Sequence, residues 1–132
     1  MRRRLFTLEE AIALLSWLES KFAEIDAARK QALSLQERRD SVMLQVKRNG
    51  STSHEEELQL HEKQIRRLPE KVQQVITEIA GRGIIVRSVE NGLVDFPTMR
   101  DGHEVQLCWL RGEPEIKFWH TYDTGYAGRQ PL

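Results

Sequence analysis

The residue types able to do chemistry lie after position 94: Asp95, Arg100, Asp101, His103, Cys108, Glu113, Glu115, His120, Asp123 and Arg129. His120 shares strand parity with Ile116 and Phe118, so it points to the same side as two apolar side chains. An imidazole there with Asp123 nearby is a candidate base or divalent-metal ligand, with Asp95 or Glu113 as a third donor. The plainer alternative is a half-buried histidine satisfied by a carbonyl or by Asp123. Arg129, set between Gly128 and Gln130, can grip an anion through its guanidinium fork, with Arg100 and Glu113 as neighbours in a ligand site. It can equally pin the tail to Asp95, Asp123 or Glu113. Cys108 shares a face with Gln106 and Leu110. As a nucleophile it would need a lowered pKa and a base such as His103 or His120, and the plainer reading is a buried inert thiol. None of these residues falls in a Walker sequence, a dinucleotide fingerprint, a nucleophile elbow or an H-E-x-x-H or CxxC pattern, so no catalytic role is assigned.

The elements that must position these groups follow from two different grammars. Residues 1–80 hold one of the eight glycines, whereas the remainder holds the other seven, with three of the four prolines and six of the nine aromatics. The first part reads as helices and the second as short strands joined by turns. Thr7 followed by Glu10 is a capping box. The positions Leu8, Ala11, Leu15, Leu18, Phe22, Ile25, Ala28, Ala32, Leu35, Arg39, Val42 and Val46 then step by three or four, which predicts one uninterrupted helix to Asn49-Gly50, about 60 Å long at 1.5 Å per residue. Ser53 with Glu56 caps a second helix whose stripe runs Leu58, His61, Ile65, Leu68, Val72, Val75 and Ile79, and Pro69 inside it predicts a kink. Gly81 and Gly83 end it. The two form an antiparallel hairpin over residues 7–80.

Strands are expected over 84–89, 93–96, 104–110 and 115–121, linked by Glu90-Asn91-Gly92, Arg100-Asp101-Gly102 and Arg111-Gly112-Glu113-Pro114 as an antiparallel meander. Residues 122–132 read as an ordered tail without a strand. Around residues 8–22 the apolar face widens through Ile12, Leu14 and Trp17, so the meander over 84–121 is placed against that end of the hairpin. The expectation is a single α+β domain: a long, coiled-coil-like helical hairpin with a small C-terminal antiparallel meander packed on its base.

Twenty basic and twenty acidic residues leave no net charge, hence no general attraction to nucleic acid. Glu9 and Glu10 interrupt the apolar run that an export signal would need, and no stretch is long enough to span a membrane. A lone cysteine rules out an intrachain disulfide framework and fits a reducing cytoplasm. The rest of the helical stripe buries only one side of each helix, which predicts a homodimer or higher oligomer through the hairpin. Arg39 and His61 would set its register.

The strings Leu5-Phe6-Thr7-Leu8-Glu9-Glu10-Ala11, Gly92-Leu93-Val94-Asp95-Phe96-Pro97, Arg100-Asp101-Gly102, Leu107-Cys108-Trp109, Trp119-His120 and Gly125-Tyr126-Ala127-Gly128-Arg129-Gln130-Pro131-Leu132 resemble a bacterial domain-of-unknown-function family, number 2203, over nearly the whole chain. The resemblance implies a small bacterial, cytoplasmic protein and carries no activity. It includes Asp95, Arg100, Cys108, Glu113, His120 and Arg129, which implies a site shared among them. Pro69 and the Met1-Arg2-Arg3-Arg4 start depart from its pattern. On this reading the protein is a non-enzymatic, self-associating interaction or ligand-binding module, the alternative being a metal-binding protein or metal-dependent enzyme with a site near His120 and Asp123.

Overall fold

A computed structural model describes residues 4–49 and 54–132. It is α+β, a long helix pair followed by a five-stranded antiparallel sheet. The opening helix is short: α1 covers Leu8–Ala13, and Thr7 and Glu10 form the full reciprocal cap at its start. At Leu14 the chain tightens, the Leu14 amide donating three residues back to Ala11 O, and a separate helix α2 runs Leu15–Asn49. The single helix expected from residue 8 is therefore two. No proline or glycine marks the break. It lets Phe6 and Ala11 bury on one side of the turn, and Leu18 and Phe22 on the other, while Ile12 stays exposed.

Helix α3 spans Glu55–Gly81 and continues through Pro69 as one element. Pro69 is exposed, so its ring projects to solvent. The Ser53 cap lies outside the described residues.

By contact the chain divides into two compact units, one made of Met1–Phe22 with Ile76–Leu132 and one of Ala23–Val75. The second is hairpin alone. Ile25, Ala28, Leu35 and His61 are buried in it, Val42 and Val46 are half-buried, and Leu33, Met43, Leu44 and Leu60 are exposed. Lys71 reaches Glu24 at 3.5 Å between its two helices.

The first unit holds the sheet: β1 Ile85–Ser88, β2 Leu93–Arg100, β3 His103–Leu110, β4 Phe118–His120 and β5 Gln130–Pro131, in sequence order. The β2–β3 hairpin closes on Asp101 and Gly102, both at positive φ, the type I′ geometry that an Asp-Gly pair favours. Strand β2 runs past Phe96, where it was expected to end, straight through Pro97. A residue's N–H and C=O point to the same side of an extended strand. Pro97 O accepts from Phe6 N at 2.7 Å, so the absent proline donor faces residues 5–7 rather than β3, and the ladder to β3 is intact.

The fourth strand is shorter than expected because the preceding turn claims its neighbours: Glu113 N donates to Leu110 O, and Leu110 N donates to the Glu113 carboxylate. The tail is not strandless. After a 3-10 turn at Tyr126–Gly128, residues Gln130 and Pro131 pair with Trp119 and Phe118.

Parity then sorts the side chains. Val94, Phe96, Val105, Leu107 and Trp109 share one face, which meets the N-terminal segment and α2 through the edge-on Phe6–Phe96 pair and an Arg111–Glu19 ion pair. The opposite face carries Asp95, Gln106, Cys108 and His120, all buried.

Candidate metal centre

The register of three strands assembles the site. Asp95 of β2 pairs directly with Cys108 of β3, and Gln106, two residues earlier on β3, pairs with His120 of β4. Side chains of paired residues stand on the same face, so all four project together. Asp95 and Cys108 are 0% exposed and His120 is 1% exposed. One ligand-type atom from each of Asp95, Cys108 and His120 lies within 4.8 Å of the other two.

Asp95 and His120 are each oriented by a second group. His120 Nδ1 is 2.7 Å from the backbone carbonyl of Thr121, an obligatory acceptor, so Nδ1 carries a proton and donates it. That leaves Nε2 facing Asp95 Oδ1 at 2.8 Å. Asp95 Oδ2 accepts from Arg87 Nε at 2.7 Å. Arg87 is the extra residue of a bulge in β1, where Val86 and Ser88 oppose the consecutive residues Val94 and Leu93. The inner oxygen of Asp95 and the inner nitrogen of His120 are thus in direct contact with each other, near the sulfur of Cys108.

Burial pushes the Cys108 thiol up to about 12, with the charges of Asp95 and Glu113 adding to the effect and Arg129 opposing it. At neutral pH the sulfur therefore holds its proton, with a thiolate fraction on the order of 10⁻⁵, which removes Cys108 as a nucleophile of the metal-free protein.

Gln106 is fully buried, and neither atom of its amide has a hydrogen-bond partner among the described residues. A buried amide is ordinarily bonded, so these two atoms stand out beside the site.

Of the residues expected to form a site, Asp95 and His120 meet. Asp123 is exposed in the tail and stands outside the buried group. Arg129 meets Glu113, its Nη2 lying 2.7 and 2.8 Å from the two carboxylate oxygens, while its guanidinium lies over Phe118 and Tyr126. Burial, the largest single effect, works against the charge on Arg129, yet the Glu113 bond and the other favourable contacts together outweigh it and its pKa is raised. This pair fastens the tail over the polar face of the sheet. Arg100 is on the other face, above Trp119, away from Arg129 and Glu113. His103 is exposed beside the β2–β3 turn, with opposite parity to the Gln106–His120 pair.

The family resemblance grouped Cys108 with Asp95, but the residues alone did not join Cys108, Gln106 and Arg87 to it. One signal for the first was present. A two-residue turn at Asp101-Gly102 pairs Arg100 with His103, and counting back along both strands puts Asp95 opposite Cys108. The bulge that delivers Arg87 has no comparable mark.

The donor set suits a small cation geometrically. Tetrahedral bonds of about 2.0–2.3 Å hold ligand atoms about 3.3–3.8 Å apart, so Nε2 and Oδ1, now 2.8 Å apart, would need to separate by about 0.5 Å, and the sulfur, within 4.8 Å of them, to come within about 3.8 Å. Among curated proteins and among solved structures nothing matches the chain. One family model does match, over residues 4–132, and by that match the chain belongs to the family described as "Uncharacterized conserved protein (DUF2203)".

Proposed function

We propose that this protein binds a divalent transition-metal ion, zinc by its donor set, through His120 Nε2, Asp95 Oδ1 and Cys108 Sγ. What carries the reading is the double orientation: the Thr121 carbonyl holds one side of His120 and Arg87 one oxygen of Asp95, leaving the opposite atoms in contact with each other near the Cys108 sulfur. Outer bonds of this kind fix the tautomer and direction of ligands in metal sites. Thiolate, imidazole and carboxylate together select zinc over the hard, oxygen-preferring cations. The unbonded Gln106 amide supplies a neighbouring fourth donor.

All three ligands are sealed from solvent, so the ion acts as a brace within the sheet rather than as an open catalytic centre. Binding expels the Cys108 proton, because sulfur ligates as thiolate. Elemental analysis of protein purified without a histidine tag is expected to give about one zinc per chain, and Cys108→Ser and His120→Ala each to lose it. Cys108→Ser keeps the size of the side chain, so its circular dichroism reports whether the loss precedes any unfolding. Metal-free protein whose melting temperature ignores added zinc would end the reading.

A second reading rests on the hairpin unit, where Leu33, Met43, Leu44 and Leu60 are 44–58% exposed. Apolar side chains in that number along a helix pair favour association with a second copy of the chain. The zero net charge supports no nucleic-acid role, and no helix among the described residues is long and apolar enough to cross a membrane. A single buried thiol fits a reducing compartment, the cytoplasm.

A further inference from the structure

On the sheet face away from the metal ligands, the far ends of β2 and β3 leave a cavity of about 480 Å³. That volume falls within the roughly 300–1,000 Å³ of small-molecule sites. Its inner wall is Val105, Leu107 and Trp119, and its outer wall includes Leu5, Leu8 and Met99. The outer three are 40–52% exposed, so large apolar side chains stand around the opening without covering one another.

The polar groups in this wall divide cleanly. Thr98 Oγ1 is used, donating to Phe6 O at 2.6 Å, and Thr7 Oγ1 accepts from the Glu10 amide. Arg100 is the one charged residue among those lining the cavity. Its guanidinium carbon sits 4.8 Å from the centre of the Trp119 ring, and among the described residues it has no carboxylate partner. Trp119 Nε1 is buried and also unpartnered among the described residues. The uncommitted charged group is therefore a cation, in a largely apolar wall. A neutral apolar ligand would leave it unanswered. A hydrophilic anion would leave the aliphatic wall unfilled.

We infer that this cavity binds an apolar carboxylate, an alkyl or aryl acid whose hydrocarbon part fills the space between Leu5, Leu107 and Met99 and whose carboxylate lies against Arg100. Arginine suits this head group because its planar fork meets a carboxylate through two bonds and remains charged while stacked on an indole. The site shares no ligand residue with the metal centre, and neither depends on the other.

Calorimetry on the full chain, with octanoate, 1-octanol and inorganic phosphate as probes, tests this. Octanoate is expected to saturate one site per chain, octanol to bind at least tenfold more weakly, and phosphate to give no heat of binding. Arg100→Gln should weaken octanoate about tenfold and leave octanol unchanged. Equal affinity for acid and alcohol, or an octanoate affinity that Arg100→Gln does not alter, would overturn the assignment. So would the absence of saturable octanoate binding, including the case in which sedimentation shows that Leu5→Glu separates two copies joined at this opening.

Discussion

A thiol that titrates near 12 is chemically quiet, and Cys108 owes this first to burial and then to the negative charge of Asp95. The consequence for stability has a definite sign. Once unfolded, the thiol loses its proton near its ordinary value of 9.0, whereas in the folded protein it keeps the proton to about 12. Between those limits the unfolded state binds fewer protons, so stability falls as pH rises, by about 1.4 kcal/mol per pH unit from this group. The metal-free protein compared with its Cys108→Ser variant in urea titrations at pH 9, 10 and 11 should therefore converge in stability as pH rises, from the wild-type side. A constant difference across that range would show that the thiol is not the titrating group. At this scale the sequence disclosed which residues were chemically able, but little about which were neighbours. His120 shows why. Its strand parity was readable, while its partner depended on pairings between residues far apart in the chain. Asp123, three positions away in sequence, is exposed, whereas Asp95, twenty-five positions away, is within hydrogen-bond reach.

The β2–β3 hairpin is the element on which the site depends. Its turn fixes which residue of β3 faces Asp95, and a slip of one position would send Cys108 to the opposite face. Gly102 adopts φ 81, a region that a β-branched side chain enters only under strain. Gly102→Val is expected to cost about 1–3 kcal/mol in chemical denaturation and, by disturbing the register, to lower metal content as well. Unchanged stability would mean that the turn does not set the pairing. Local signals worked well where the cause was local: Thr7 with Glu10 marked the first cap, and Asp101-Gly102 marked the turn. They did not reveal the break at Leu14 or strand β5, since both arise from packing against distant segments. Pro97 misled for a related reason. Proline ends a strand only if its missing donor faces a paired neighbour, and here that side belongs to Phe6.

At the scale of the molecule, each unit leaves apolar surface uncovered. The sheet-bearing unit buries Trp109, Phe22 and Phe96 but exposes Leu5, Ile12 and Met99, and the hairpin unit, with no sheet of its own, leaves four large aliphatic side chains more than two-fifths exposed. Sedimentation at micromolar concentration is expected to show a dimer or larger species, and Leu44→Glu with Leu60→Glu to yield monomer while retaining helix content. A wild-type monomer would remove the second reading and leave the metal centre untouched.

The central claim is that sulfur, imidazole nitrogen and carboxylate oxygen converge on one cation. Cobalt(II) exchanged into the protein reports this directly. The expected result is an intense thiolate-to-cobalt charge-transfer band, together with tetrahedral visible absorption, that saturates at one ion per chain and disappears in Cys108→Ser. Cobalt spectra without the charge-transfer band, or with a band that survives that substitution, would contradict it.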